Sequence, residues 1–208
     1  MTSKLRGPAI FVADAPALDF LNSIATPMTE PVDWIDDGDD WLDWLRQSGW
    51  VDESVLNTLR ESALPGELDN AAAQARSLRE WFRAFVLKHR GQPLDPSAAS
   101  ELGSLNRLLE RDEKYAEITA GEGLDGKLSL GLKRRWRTPE SLLLPVGEAI
   151  AEFLCTEDFS DVKSCEGPTC TLMFVDHTRG KKRRWCSMAA CGNRAKAAAH
   201  RERQKKSV

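Results

Sequence analysis

Four of the five cysteines form two pairs near the C-terminal end of the sequence. Cys165 and Cys170 are separated by four residues, Cys186 and Cys191 by another four, and fifteen residues lie between the pairs. Two short loops with this spacing can bring four sulfur atoms to one tetrahedral ion, as structural zinc sites do. The sequence therefore predicts one structural Zn²⁺ per chain, held by these four cysteines.

Two other interpretations of the cysteines stay open. The pairs could form disulfides or remain free thiols, although disulfide frameworks are typical of secreted chains and the sequence shows no secretion signal. His177 lies between the pairs and could replace one thiolate, but the four-cysteine set is complete without it. The fifth cysteine, Cys155, ends an apolar helical pattern and is predicted to be a core residue.

The residues around the two pairs predict the elements that bring them together. Leu172 to Asp176 and Lys182 to Trp185 favour two strands of a hairpin, with turn residues around Gly180. After the second pair, Asn193 is a good N-cap, and residues 194–204 favour a helix. Knuckle, hairpin and helix in this order are typical of a treble-clef-like zinc finger, whose few large apolar side chains need a metal for stability.

The segment WCSMAACGNRAKAAAHRER, centred on Cys191 to Arg194, resembles the CGNR zinc finger of bacterial transcription regulators. In that family the finger follows a helical domain called ABATE. The segments ALDFLNS at Ala17 to Ser23, WLDWL at Trp41 to Leu45 and LREWFRAF at Leu78 to Phe85 are similar to recurring parts of that domain. The resemblance implies a zinc-dependent regulator of transcription with a sensor-like N-terminal domain.

Charge is divided unevenly along the chain. The net charge is −3, but residues 179–208 contain eleven Lys or Arg and a single acid, Glu202, so they carry +10 and leave −13 for residues 1–178. A basic end behind an acidic body favours a polyanionic partner such as double-stranded DNA. The predicted DNA contacts are Arg183, Arg184, Arg194, Lys196, Arg201, Arg203 and Lys205. For Arg194, bracing of the zinc knuckle is the alternative role.

The rest of the chain predicts a mainly helical body. Apolar periodicity and capping residues place helices at 16–24, 40–48, 53–62, 67–89, 95–111 and 138–155. Short alternating segments at 115–119 and 127–132, around a glycine-rich loop, predict one β-hairpin that packs on the helices, and 156–164 has the composition of a linker. The expected fold is α+β, mainly α, with a helical domain at 1–158 and the zinc finger at 159–208.

Other chemistry finds less support in the sequence. No histidine stands in a recognisable motif with a Ser or Cys nucleophile, so we do not expect an enzyme. The six aspartates between Asp33 and Asp43 lack the ligand spacing of a calcium loop and favour a solvated loop and helix start. A further hypothesis is a pocket for a small anionic ligand, with solvated arginines as its alternative. Its residues would be Asp19, Asn22, Arg79 and Arg83.

These observations favour a zinc-dependent transcription regulator that binds duplex DNA. One alternative is a finger that mediates protein or RNA contacts, and another is a small-molecule-binding or catalytic body for which the finger is a structural clamp. Without a signal-peptide pattern or an apolar run of membrane-spanning length, we expect a cytoplasmic protein with no membrane partner. The sequence leaves the oligomeric state open, with a homodimer among the alternatives.

Overall fold

The structure is a computed structural model and describes residues 6–120 and 127–206, so the glycine-rich hairpin loop predicted at 120–126 lies almost wholly outside the described residues. The described helices are α1 (Pro16–Leu21), α2 (Gly38–Ser48), α3 (Glu53–Ser62), α4 (Glu67–His89), α5 (Gly103–Leu109), α6 (Leu144–Thr156) and α7 (Asn193–Lys206). The described strands are β1 (Ile24–Ala25), β2 (Val32–Asp33), β3 (Lys114–Ala120), β4 (Leu128–Arg134), β5 (Val162–Ser164) and β6 (Met173–Val175).

Short 3₁₀ turns precede α5 and α6 and follow α6, at Pro96–Glu101, Pro139–Leu143 and Phe159–Asp161. The described strands form three two-stranded antiparallel sheets, β1 with β2, β3 with β4 and β5 with β6. This is the mainly helical α+β fold that the sequence predicts. Within residues 6–120 and 127–206, no helix is both long and apolar enough to cross a membrane.

The long helix α4 is the spine of the body. Phe82, Phe85 and Val86 recur at helical spacing and are buried, as the apolar periodicity predicts. Helix α2 packs against the start of α4, and its first residue, Gly38, has no room for a side chain, since a Cβ there would lie 2.5 Å from the Cβ of Leu68. Close contact between these two helices therefore requires glycine at position 38.

Helix α2 has the boundaries that its sequence specifies. The Asp37 side chain accepts a hydrogen bond from the Asp40 amide and caps the first turn, and Gly49 ends the helix in the left-handed conformation at a φ of 70°. The aspartate-rich segment is thus a loop and helix start, as predicted. Trp41 and Trp44 point from α2 into the core and stack on each other, with ring centroids 5.8 Å apart.

The β3–β4 hairpin forms at the predicted place, but the prediction that it packs on the helices is wrong. All seven residues of β3 are exposed, and β4 is exposed except at Gly131 and Arg134, which are half-buried. Only the base of the hairpin is tied to the body, because Arg134 donates to Asp112 at 2.6 and 2.7 Å and to Glu148 at 2.7 Å. Beyond this base, the described part of the hairpin projects into solvent.

The segment predicted as a linker at 156–164 is instead part of the folded core. Phe159 is fully buried, with its ring 5.3 Å from that of Phe153 and 6.1 Å from that of Phe85. Residues Val162–Ser164 then form β5. A single large aromatic residue among charged neighbours is enough to fix this segment, because its burial removes a large apolar surface from water.

Strand β6 confirms the predicted extended segment at 172–176, but its partner differs from the prediction. It pairs with β5, placing Val162 opposite Val175 and Ser164 opposite Met173. Residues 182–185 form no strand, because the amide of Arg183 donates to the Asp176 side chain and the carbonyl of Arg184 accepts from Glu166. The finger therefore pairs its strand with the residues that precede its first knuckle.

The other edge of β6 is satisfied by the body. The Asn22 side chain, at the end of α1, donates to the Met173 carbonyl at 2.8 Å and accepts from the Met173 amide at 2.9 Å. The Val175 amide donates to the carbonyl of Ala13 at 2.9 Å. Asn22 thus imitates a neighbouring strand, and the finger and the body share one continuous core.

We predict that Asn22→Ala lowers the free energy of unfolding by about 2–4 kcal/mol, because it leaves a buried amide and a buried carbonyl of Met173 without partners. Chemical denaturation monitored by tryptophan fluorescence measures the change. Asn57→Ala, at an exposed position on α3, is the matched control and should stay within about 0.5 kcal/mol of the wild type. Equal effects of the two substitutions would contradict the role given to Asn22.

Candidate metal centre and nucleic-acid interface

The four paired cysteines converge on one buried point. Their sulfur atoms all lie within 4.8 Å of one another, and the Sγ atom of Cys186 is 3.9 Å from that of Cys170 and 3.6 Å from that of Cys191. A tetrahedral zinc ion with Zn–S bonds of about 2.3 Å sets its sulfur atoms about 3.8 Å apart. The spacing of the thiols therefore fits zinc, whereas disulfide bonds would require sulfur atoms at about 2.0 Å.

Backbone and side-chain donors surround the sulfur atoms. Cys165 accepts from the amides of Gly167 at 3.4 Å and Cys186 at 3.3 Å, and Cys191 accepts from the Arg194 guanidinium at 2.9 Å. Such donors stabilise thiolates rather than thiols. Burial raises the pKa of Cys165 above that of an ordinary thiol, whereas a hydrogen bond from Cys186 lowers the pKa of Cys170 to about 5. A cation between the sulfur atoms would favour the thiolate form of all four.

His177, the other predicted candidate ligand, lies outside the thiol cluster. Its Nε2 atom is 2.8 Å from a carboxylate oxygen of Glu157, and its side chain is exposed. The cluster of described metal-binding side chains consists of the four cysteines alone. Cys155 is also separate from the cluster and is exposed, so its prediction as a core residue is wrong.

Asp176 organises the long loop between the cysteine pairs and was not among the functional residues predicted from the sequence. Its carboxylate is fully buried and accepts from the Lys163 ammonium at 2.6 Å, from the Thr178 amide and hydroxyl, and from the Arg183 amide at 2.8 Å. Burial alone would raise the pKa of Asp176, but these hydrogen bonds hold it well below the ordinary value. Its position directly after the apolar run of β6 was the available sequence signal.

Arg183 joins the finger to the body instead of facing solvent. Its guanidinium group donates to the Val12 carbonyl at 2.8 Å, to the Asp14 carboxylate at 2.5 Å and to carbonyls of the finger, and it lies 4.1 Å from the ring centroid of Phe174. Every guanidinium nitrogen is engaged within the chain. The predicted DNA contact of Arg183 therefore gives way to a structural role.

Arg194 also has partners within the chain. One of its terminal nitrogens donates to the Pro27 carbonyl at 2.7 Å as well as to the Cys191 sulfur. This arrangement is the bracing role that the sequence left as an alternative, because it ties the second knuckle to the loop between β1 and β2. A role in base recognition would require Arg194 to leave these partners.

The final helix continues directly from the second knuckle. The Ser187 side chain accepts from the Ala190 amide and caps a π-helical turn at Met188–Gly192, so it takes the capping position that was predicted for Asn193. Helix α7 follows without a break to Lys206. From residue 196 to residue 204 every side chain is exposed.

The remaining predicted DNA-contacting residues lie in different environments. Lys196, Arg201 and Arg203 are exposed on α7, whereas the Lys205 side chain lies outside the described residues. Arg184 is exposed in the finger and pairs with Glu166 at 2.6 Å. The structure thus provides a projecting helix with basic side chains next to a rigid metal site.

The four residues predicted to bind a small anion serve the fold instead. Arg79 is 2% exposed and forms two hydrogen bonds with Asp33, at 2.7 and 2.8 Å, and Arg83 donates to carbonyls of the loop after α1. Asp19 accepts from the amides of Val12 and Ala13 at 2.9 and 3.0 Å, and Asn22 binds strand β6. These contacts do not support the predicted ligand pocket.

Two family models match the chain. The model described as "ABATE: Putative stress-induced transcription regulator" matches residues 14–157, which is more than half of the chain. The chain belongs to the ABATE family. The model described as CGNR zinc finger matches residues 162–204 of this ABATE protein, a range that contains all four clustered cysteines. No curated protein matched the sequence.

The CGNR finger and its thiol geometry together establish one structural zinc ion in this ABATE protein. Cys165, Cys170, Cys186 and Cys191 are the residues that would hold the ion. Because the protein supplies all four ligands, the ion has no open position for a reacting water molecule, and its contribution is to cross-link the two knuckles. This cross-link fixes the start of α7 relative to the body.

We predict that Cys186→Ser abolishes stoichiometric zinc binding and lowers the free energy of unfolding by at least about 5 kcal/mol, since structural zinc contributes roughly 10–16 kcal/mol to small fingers. Because the finger and body share a core, unfolding of the wild type should follow one transition. Zinc analysis and denaturation followed through Trp41 and Trp44 test both statements. Cys155→Ser, at the exposed cysteine, should retain zinc and stability; two separate transitions in the wild type would contradict the shared core.

A second prediction concerns Asp19, whose burial raises its pKa to about 6 despite the hydrogen bonds from the Ala13 and Val12 amides. A carboxyl group with a raised folded-state pKa stabilises the fold at low pH and loses this contribution as the pH rises through about 6. Asn in its place keeps an oxygen acceptor without the charge. Asp19→Asn should therefore gain about 1–2 kcal/mol relative to the wild type between about pH 5 and pH 8. A change of opposite sign in paired denaturation curves would show that the ionised carboxylate stabilises the fold.

Proposed function

We propose that this chain is a zinc-dependent transcription regulator whose C-terminal finger binds double-stranded DNA. The single observation that carries the proposal is helix α7, which starts at the metal site and exposes every side chain from residue 196 to residue 204. It has no apolar residue larger than alanine. A helix that is polar on all sides gains no stability from a core, so its retention in the fold points to a partner outside it.

The chemistry of this helix favours a polyanionic partner. Lys196, Arg201 and Arg203 are its exposed basic side chains, and residues 179–208 as a whole carry +10. Arginine and lysine on a helix next to a rigid knuckle can contact phosphates on both sides of a DNA groove. The acidic body, at −13, would be repelled by the same polyanion. We therefore propose that the finger faces the DNA and that the body points away from it.

The metal site supports this proposal through the rigidity of the helix. The braces from Arg194 to Cys191 and Pro27, together with the Ser187 cap, fix where α7 begins and the direction in which it leaves the body. A helix that is held in this way loses less conformational entropy on binding than a free basic tail would. The proposal does not include a small-molecule ligand, because the four candidate residues are engaged within the fold.

The proposal predicts a marked salt dependence of DNA binding by the full, zinc-loaded chain. If about five phosphates are neutralised, the slope of log affinity against log salt should be about −4 to −5. Arg201→Ala should flatten this slope by about one unit and weaken all duplex sequences alike. Fluorescence anisotropy with labelled duplexes measures both effects, with zinc content determined for each protein.

The matched control for Arg201→Ala is Arg107→Ala, which removes an exposed arginine from α5 in the body and should leave the slope unchanged. The same sequence as single-stranded DNA and as RNA provides the comparison for the alternative partners. Tighter binding of RNA than of duplex DNA would replace the proposal with an RNA-binding function. Affinity that is independent of salt, or that survives removal of zinc unchanged, would contradict it altogether.

A further inference from the structure

The exposed face of the β3–β4 hairpin does not fit a surface that stays in water. In an antiparallel pair, residues directly opposite each other point to the same side of the sheet. One side of this hairpin is formed by three such pairs: Ala116 with Leu132, Ile118 with Leu130, and Ala120 with Leu128. Every one of these six side chains is apolar, and the charged pair on the same side, Lys114 with Arg134, lies at the base of the hairpin.

The large side chains on this face are among the most exposed apolar groups in the described part of the chain. Ile118 and Leu132 are 67% exposed, Leu130 is 73% exposed and Leu128 is 76% exposed. The opposite side carries polar residues and is suited to solvent, with the Thr119 and Ser129 hydroxyls 3.2 Å apart in a hydrogen bond across the strands. The hairpin is therefore amphipathic in the same way as a strand pair that covers a core, but its core-facing side is uncovered.

A two-stranded hairpin on its own is at best marginally stable in water and needs packing on an apolar face. In the described part of the chain its base is held by ion pairs of Arg134 and Lys114 with Asp112 and Glu148. Beyond that base, six residues on each strand are paired in a regular register as far as Ala120 and Leu128. For this pairing to be stable in water, the hairpin needs to pack on a second apolar surface, and the described part of the chain does not supply one.

We propose that this apolar face is the contact surface of a homodimer, in which two copies stack their hairpins face to face about a two-fold axis. A second copy supplies the required surface, because an isologous contact needs only a patch that is complementary to itself. The patch of three apolar pairs meets that condition and carries no charge that would select a partner of another kind, because Lys114 and Arg134 at the base of the hairpin are paired with Asp112 and Glu148. Stacked sheets pack about 10 Å apart, which four large aliphatic side chains per copy can fill.

The area of the patch is consistent with a reversible dimer. Each large aliphatic side chain removes roughly 100 Å² of apolar surface from water when it is buried. Four such chains per copy, with the alanines between them, give about 800–1,000 Å² for the two copies together, near the lower limit of about 1,000 Å² for a specific interface. We therefore expect a dimer whose dissociation constant is in the micromolar range, not a permanent one.

Sedimentation equilibrium of the full, zinc-loaded chain over a wide range of concentration tests the proposal. The wild type should convert from monomer to dimer within this range. Leu130→Lys puts two like charges into the stacked faces and should raise the dissociation constant at least about a hundredfold. Ser129→Lys is the matched control, since it adds the same charge one residue away on the opposite face, and it should leave the constant unchanged.

Both substituted side chains are exposed in the single chain, so zinc content and circular dichroism should match the wild type in each variant. Leu128→Lys provides a second variant on the apolar face and should act like Leu130→Lys. A wild type that stays monomeric at every concentration would overturn the proposal, and so would a dimer that survives both leucine substitutions. Equal weakening by Ser129→Lys would also overturn it, because charge alone would then explain the effect.

Discussion

Strand β6 is buried on both sides, and its peptide groups must therefore find all their hydrogen-bond partners inside the protein. One edge is paired with β5, and the other is paired with Asn22 and with the Ala13 carbonyl. The free-energy cost of leaving one peptide group unpaired at this depth would be a large fraction of the net free energy of unfolding of a domain of this size. This requirement makes the finger a continuation of the body, and it fixes the position of the zinc site relative to α1.

The charged groups near this strand must also find their hydrogen-bond partners inside the protein. Asp176 is buried immediately after β6 and is surrounded by donors, while Arg183 distributes its hydrogen bonds between the finger and the body. Each is stable in its place because its charge and its hydrogen-bonding capacity are satisfied together. Two of the arginines that the sequence offers to a polyanion, Arg183 and Arg194, are thus used in assembling the finger, whereas Lys196, Arg201 and Arg203 of α7 are at the surface.

The parts of the structure that depend on local spacing could be predicted from the sequence. Helices α3 and α4 have the predicted limits, because apolar periodicity and the Pro65–Gly66 break act within a few residues, and the cysteine spacing suffices for the metal site. Features that depend on distant partners were mispredicted. The pairing of β6 with β5, the burial of Phe159 and the exposure of the β3–β4 hairpin are decided by surfaces far apart in sequence, which no local pattern records. The roles of Asn22 and Arg79 were mistaken for the same reason, since a polar side chain gives no sign of whether its partner is a ligand or a peptide group.

In the described part of helix α7, the side chains from residue 196 to residue 204 are exposed and therefore add little to the packed core. Substitutions along residues 196–204 therefore carry little risk to folding, since surface changes outside caps and buried networks usually alter stability by less than about 0.5 kcal/mol. The metal site and the body, in contrast, tolerate few changes, because their buried groups depend on one another. The residues that would recognise a partner can therefore change without disturbing the residues that maintain the fold. Descendants of one ancestral gene can diverge in what this helix binds while they inherit the rest of the molecule almost unchanged.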